Sequence, residues 1–283
     1  MTPTTAAGRA GATQLGELEV NRLGFGAMRI TGDGIWGPPG DRDEALRVLR
    51  RAVELDVQLI DTADSYGPDV SEELIAEALH PYPEGVVIAT KGGLTRPGPN
   101  DWRRNARPDH LREACEGSLQ RLRVDQIDLY QLHAPDDDVP YEESVGALVD
   151  LKDEGKIARI GLSNVNGDQL ATARGLTDVV SVQNRFNVSD RTNEDVLETC
   201  TDEGIAFLPY FPLAAGTPAD LASEIAEDRG VNAHQVAIAW LLARSPVIAP
   251  IPGTSSVDHL EENVGAAELE LSDEELGRLA DAA

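Results

Sequence analysis

A carboxylate, a phenol, an amine and an imidazole stand where three apolar runs of this chain end. Residues 57–60 lead into Asp61, with Tyr66 beside Gly67 just beyond; residues 86–90 lead into Lys91; and the alternating run 127–132 leads into His133. Short apolar runs that stop at polar residues and glycine read as strands delivering side chains into turns. A phenol with a pKa of about 10 keeps its proton at neutral pH and releases it sluggishly, and an adjacent ammonium lowers that value. Lys91 beside Tyr66 would therefore make the phenol a general acid, with Asp61 holding Lys91 in place and charged and His133 donating a hydrogen bond that orients the substrate. Each residue alone has a plainer reading: a rim ion pair for Asp61 and Lys91, a hydrogen-bonded histidine, a loop tyrosine. Their occurrence together at three successive strand ends is what favours a catalytic site.

Positioning them requires a repeated scaffold. Strand patterns at 23–28, 57–61, 86–91, 127–133, 157–162, 179–183, 205–210 and 247–251 alternate with helical patterns at 41–56, 70–80, 108–123, 141–155, 167–175, 190–203, 232–244 and 256–267. Asp41 supplies a cap for the first helix, an additional helix is expected at 218–229, and Ser272 with Glu275 has capping-box spacing for a last one. This rhythm predicts an α/β chain whose parallel sheet closes as a single (β/α)8 TIM barrel, preceded by a short hairpin around 16–20. The C-terminal ends of barrel strands form the catalytic mouth, which puts the four groups on one rim. A doubly wound open sheet is the alternative, but Gly24-Phe25-Gly26-Ala27-Met28-Arg29 lacks the third glycine of a dinucleotide fingerprint. Residues 1–13 read as a flexible tail and 14–283 as one domain.

The quartet, with Gly161-Leu162-Ser163-Asn164 downstream, resembles the aldo-keto reductases, from about residue 14 to the C-terminus. The resemblance implies reduction of aldehyde or ketone carbonyls by NADPH, with Tyr66 as proton donor and Lys91, Asp61 and His133 completing the tetrad. It places the cofactor against Gly26, Ala27 and Met28 at the end of the first strand, and against Asp61. Ser163, Asn164 and Gln183 take the carboxamide position, and Tyr210 the ring stacked beneath the nicotinamide. Phe211, Pro212, Leu213 and Gly216 belong to the loop over the pyrophosphate. Pro252, Gly253, Thr254, Ser255, His259, Glu262 and Asn263 correspond to the adenosine end, where backbone N–H groups at a helix N-terminus suit an anion. Many family members carry a lysine in place of Gly253 and an arginine in place of His259, so NADH is the alternative cofactor. Trp36 and Trp102 fall in loops that wall the substrate pocket, and a bacterial and archaeal branch that includes pyridoxal reductases looks most similar. A second reading is an NADP(H)-binding regulatory or redox-sensing barrel with little turnover.

The totals narrow the partners. Acidic residues number 50 against 24 basic ones, a formal net charge of −26, which disfavours nucleic acid and anionic membranes. Lys91, Lys152 and Lys156 are the only lysines. Carboxylates without lysines suit a halophilic protein whose self-repulsion is screened by concentrated salt, an acidic mesophilic enzyme being the alternative. No apolar run is long enough for a membrane span, and the first residues lack the apolar core of a signal peptide. Cys115 and Cys200 show no disulfide or metal spacing, so a cytoplasmic location is expected. His80, His110, His133, His234 and His259 lie on separate elements, which predicts no metal site. The expected partner is a small-molecule carbonyl substrate; nothing in the chain specifies an oligomeric state.

Overall fold

The side-chain period of two along each strand decides where the chemistry goes. Leu59 and Asp61, then Val87, Ala89 and Lys91, then Leu129, Gln131 and His133 share one face of their strands. Leu59, Val87, Ala89 and Leu129 pack together in an inner apolar cluster, while the alternate residues Ile60, Ile88, Tyr130 and Leu132 belong to the larger cluster beneath the helices. Apolar residues thus fill the inner face near the strand starts, and polar residues occupy it near their ends.

The computed structural model describes residues 6–211 and 220–281. It opens with the antiparallel pair β1 (Ala12–Leu15) and β2 (Leu18–Asn21), whose Leu15 and Val20 join the inner cluster. There follow β3 (Phe25–Gly26), α1 (Arg42–Glu54), β4 (Leu59–Asp61), α2 (Val70–Leu79), β5 (Val87–Gly92), β6 (Leu94–Gly98) and β7 (Asp101–Arg104). Then come α3 (Pro108–Leu122), β8 (Leu129–Leu132), α4 (Tyr141–Asp153), β9 (Ile160–Ser163), α5 (Gly167–Arg174), β10 (Val179–Gln183), α6 (Glu194–Glu203) and β11 (Ala206–Phe207). The helices α7 (Asp220–Arg229), α8 (Ala233–Arg244), α9 (Val257–Gly265) and α10 (Asp273–Asp281) complete the chain.

A curled, parallel 7-stranded sheet runs in the order β3, β4, β5, β8, β9, β10, β11. Beyond β11, residues 247–252 bond to both of its ends. Phe207 N and Ala249 N exchange bonds with Val247 O and Phe207 O at 2.9 Å each, while Gly24 N and Gly26 N donate to Pro250 O (3.0 Å) and Pro252 O (3.4 Å). The strand expected at 247–251 is therefore replaced by a bridging segment, and the reason is chemical. Pro250 and Pro252 have no N–H, so they accept from Gly24 and Gly26 but cannot donate back.

Other departures are local. Residues 1–13 were expected as a tail, yet Ala7–Ala10 form a 3-10 turn with Ala7 buried and its N–H on Leu55 O at 3.1 Å, and β1 begins at Ala12. The first barrel strand, expected over 23–28, is regular only at Phe25–Gly26, because Ala27–Ile30 tightens into a 3-10 turn. The pair β6 and β7 occupies the stretch around Trp102 where the sequence predicts a loop. Cap expectations match the structure: Asp41 accepts from Glu44 N at 2.8 Å, and Ser272 N reaches the Glu275 carboxylate at 2.7 Å. Among the described residues no helix is long and apolar enough to cross a membrane, and no group of three His, Cys, Asp or Glu could hold a metal.

Candidate functional site

The ends of β4, β5 and β8 bring the quartet together. Lys91, fully buried, donates to Asp61 Oδ1 at 2.7 Å and to Thr62 O at 2.8 Å. Its ammonium lies 5.2 Å from the Tyr66 ring centroid. Tyr66 stands edge-on to His133, with ring centroids 5.9 Å apart. His133 is held at its backbone, where its N–H bonds to Gly92 O at 2.9 Å and its carbonyl accepts from Asn164 Nδ2 at 2.9 Å. Ser65 Oγ faces its ring Nδ1 at 3.4 Å.

The electrostatics depart from expectation at one point. Lys91 was expected to bring the Tyr66 phenol below its usual value, but burial raises it above 10.0, and the Lys91 charge opposes the rise without reversing it. The physical reason is that an enclosed phenolate loses hydration while Asp61 and Asp64 repel it. Burial works against the Lys91 ammonium too, but its neighbours, the Asp61 charge foremost, outweigh it and its pKa ends up raised. Burial, then the Lys91 charge, push His133 well below 6.5, so its imidazole is neutral at physiological pH. The arrangement combines a protonated phenol, a fixed ammonium behind it and a neutral imidazole beside it. Such a set can deliver a proton and a hydrogen bond to one oxygen.

Gln131 was not singled out in the sequence. Its Nε2 donates to Asp61 Oδ2 at 3.1 Å, alongside Gln183 Nε2 at 2.8 Å. Alternation along β8 was the available signal, since Gln131 shares its face with His133. Gly161 is required here by packing: a Cβ would stand 2.3 Å from Ser181 Oγ and 2.8 Å from Gln131 Cγ.

A cavity of about 920 Å³ opens beside the quartet. Asp61, Tyr66 and His133 line one end, with Gly26, Met28, Trp102, Ser163, Asn164, Gln183, Tyr210 and Phe211, and Gly253, Thr254, Ser255, His259, Glu262 and Asn263 extend it. Tyr210 OH donates to Asn164 Oδ1 at 2.8 Å. Ala27 is buried and accepts from Ser71 Oγ at 3.1 Å, and Pro252 contributes its carbonyl to Gly26; neither lines the cavity. Trp36 does not line it either. It bridges Gly67, and its neighbour Ile35 takes the wall position. Pro212, Leu213 and Gly216 lie outside the described residues.

At the N-terminus of α9 the expected anion cradle is partly taken. Val257 N donates to Glu44 Oε1 at 2.9 Å, and Ser256 N to Thr254 Oγ1 at 3.2 Å. That amide bond, with the Arg47 pair, holds the Glu44 carboxyl below its usual value. Arg29 supplies a positive charge that the sequence reading overlooked. It lines this cavity and an adjoining one of about 500 Å³, and its Cγ lies 3.7 Å from where a Cβ on Gly253 would stand. No side chain fits at 253 itself, because that Cβ would meet Gly26 O at 2.5 Å.

Comparison with known proteins adds independent findings. A family model described as the aldo/keto reductase family matches residues 22–283. An uncharacterized oxidoreductase of Schizosaccharomyces pombe is 50% identical over 276 residues, 96% of this chain and 90% of that protein. Pyridoxine 4-dehydrogenase of Escherichia coli is 42% identical over 274 residues, covering 94% and 96%. Among solved structures, a thermostable aldo-keto reductase in complex with the inhibitor epalrestat superposes with a TM-score of 0.85 at 32% identity, covering 96% of this chain and 99% of that one. An aldo-keto reductase of Klebsiella pneumoniae in complex with NADPH gives 0.79 at 29%, covering 93% and 91%.

Proposed function

This chain belongs to the aldo/keto reductase family, and from that premise we propose that it reduces aldehyde and ketone carbonyls to alcohols with NADPH, Tyr66 delivering the proton. The observation that carries the reading is the buried Lys91–Asp61 pair at 2.7 Å beside Tyr66, on a cavity that His133 also lines.

The residues present suit a nicotinamide dinucleotide. The cavity is long and mixed in character, and the Ser163 and Asn164 side chains offer both donors and acceptors for a carboxamide. Gln183 uses its Nε2 on Asp61, which leaves its carbonyl oxygen to accept from the same group. Tyr210 serves as the aromatic beneath the ring, and Phe211 opens the segment that continues through Pro212, Leu213 and Gly216. The Arg29 guanidinium, which has no ion pair among the described residues, answers the charge of the additional phosphate in a chain that is otherwise strongly acidic, and on that ground NADPH is chosen over NADH.

The bound dinucleotide supplies hydride; the protein manages the proton. His133, neutral, donates a hydrogen bond that orients the carbonyl oxygen. Tyr66 donates its proton to that oxygen as negative charge develops there, and the resulting phenolate is stabilised by the Lys91 ammonium. Asp61 keeps Lys91 in place, and the Gln131 and Gln183 amides in turn hold the Asp61 carboxylate in position.

The scaffold is read as one domain that takes in the packed Ala7–Ala10 turn as well as residues 14–283, and in it the segment 247–252 takes the eighth strand position and closes the sheet as a (β/α)8 barrel behind the β1–β2 hairpin. The acidic surface is read as a halophilic adaptation. Substrates are sought among flat carbonyl compounds, with pyridoxal first because of the Escherichia coli relative. Steady-state assays of pyridoxal, aromatic aldehydes, glyoxals and sugars with both cofactors test this. The expected result is NADPH oxidation with at least one aldehyde; higher efficiency with NADH reverses the cofactor choice, and no turnover with any carbonyl removes the reductase reading.

A further inference from the structure

Arg96 is buried to 8% exposure directly behind the substrate end of the cavity, and no carboxylate pairs with it among the described residues. Asp101, whose charge supports it, is itself paired with Arg103 at 2.8 Å. Instead, Arg96 Nη1 donates to Ser65 O and Nη2 to Gly34 O, each at 3.0 Å, while Nε has no partner. Its guanidinium carbon lies 3.6 Å from the Trp102 ring centroid and 5.7 Å from that of Trp36.

A buried cation without a counter-ion is expensive, and a guanidinium tolerates the position better than an ammonium because it is flat, weakly hydrated and able to stack on aromatic faces. The local backbone is built to put it there. Between β6 and β7, Thr95 pairs with Arg103 and Gly98 with Asp101, so Arg96 and Pro97 together stand opposite Trp102. An extra residue on one strand re-aims side chains, here turning Arg96 inward beneath the indole.

From that position one side chain connects three loops. Gly34 belongs to the loop after β3 and Trp102 to the β6–β7 hairpin. Ser65 precedes Tyr66 and faces His133. Trp102, 37% exposed, meets Tyr66 edge-on at 6.3 Å and lines the cavity. We propose that Arg96 is a positioning residue that sets substrate selectivity: by stacking behind Trp102 and clamping Ser65, it fixes a rigid indole wall at the Tyr66 end of the cavity, shaped for flat aromatic aldehydes. This rests on the carbonyl-reductase reading above and adds the class of substrate to it.

The test compares Arg96→Gln, Arg96→Lys, Trp102→Leu and the double variant Arg96→Gln/Trp102→Leu with the wild type. Benzaldehyde and propanal serve as substrates, and NADP+ affinity and thermal unfolding verify folding. Loss of the stacked, forked guanidinium should lower kcat/KM for benzaldehyde by about tenfold or more, mainly through KM, and for propanal by under about threefold. Arg96→Lys keeps the charge but loses the planar fork, so it should show the same shift in selectivity. If Arg96 acts through Trp102, the double variant is no worse than Trp102→Leu alone. A folded Arg96 variant with wild-type selectivity, or single losses that multiply in the double variant, overturns the proposal. Acrylamide quenching of Trp102, read as the difference between protein with and without Trp102→Phe, gives an answer without turnover. It should increase in Arg96→Gln, and unchanged quenching also overturns the proposal. Wild-type protein that reduces neither aldehyde overturns the proposed selectivity for aromatic aldehydes and refutes the reductase reading only if the whole carbonyl panel also fails, while quenching still decides whether Arg96 holds Trp102.

Discussion

The Tyr66 hydroxyl is subject to two opposed influences, burial that raises its pKa and the Lys91 charge that lowers it, and burial prevails. Reduction needs the protonated phenol. The rate of carbonyl reduction should therefore hold as pH rises to the ordinary tyrosine value of 10.0, and fall only above it; a kcat profile that declines between pH 8 and 9, on the order of one unit below a free phenol, would contradict this. His133 works in the other direction. Its folded pKa is depressed below 6.5, so between the two values the unfolded chain takes up a proton that the folded chain refuses. The stability that His133 contributes is present above pH 6.5 and is lost as pH falls below it, a sign that denaturant titrations from neutral to acid pH can check against His133→Gln. Lys91 and Asp61 form a buried pair at 0% and 3% side-chain exposure. Lys91→Met leaves a buried carboxylate uncompensated and should destabilise the protein by about 3–5 kcal/mol, whereas replacing both partners with apolar residues should cost less. All four members of the quartet were legible in the sequence because Asp61, Lys91 and His133 each end an apolar run and Tyr66 follows the first of these in a turn beside Gly67. Gln131 was not, because a glutamine one alternation before His133 looks the same whether it meets a carboxylate or water.

At the level of elements, the junction between β3 and residues 247–252 holds the two halves of the cavity together. Gly26 and Gly253 approach each other there backbone to backbone: a Cβ on Gly26 would lie 2.7 Å from Ile251 O, and one on Gly253 would lie 2.5 Å from Gly26 O. Neither obstacle is a flexible side chain, so Gly253→Ala should push the segments apart, weaken NADP+ binding and lower stability by about 1–3 kcal/mol. Gly277→Ala, on the exposed face of α10 with open space around it, is the control and should be neutral or slightly stabilising. Equal behaviour of the two variants in thermal melts and NADP+ titrations would show that the close approach carries no weight. The helices were the most legible elements, since α1 has its Asp41 cap and α8 and α9 follow Asn232 and Ser256, whose side chains accept from the first turn. The β6–β7 pair escaped because Pro97, Gly98 and three arginines carry no alternating pattern. The eighth segment read as a strand because its apolar run is real; its two prolines, which remove the donors a strand needs, were the signal to the contrary.

Across the whole molecule the charge is lopsided, and the described ion pairs lie almost entirely at the surface, where each contributes little. With a net charge of −26, repulsion among carboxylates is the larger electrostatic effect in dilute buffer. Potassium chloride shortens the Debye length to roughly 3 Å at 1 M. The midpoint of thermal unfolding should therefore climb from dilute buffer to molar salt, and a flat or falling midpoint would dismiss the halophilic reading. The Lys91–Asp61 pair is enclosed and should be insensitive to the same salt. In the proposed reaction this chain reduces carbonyls with Tyr66 as the acid. Rapid mixing of the NADPH-loaded protein with an excess of a reactive aldehyde tests it most directly, comparing the wild type with Tyr66→Phe in molar salt at equal NADPH occupancy. A single turnover is expected in the wild type and a rate at least about a hundredfold lower in Tyr66→Phe; equal rates in the two proteins would remove Tyr66 as the acid.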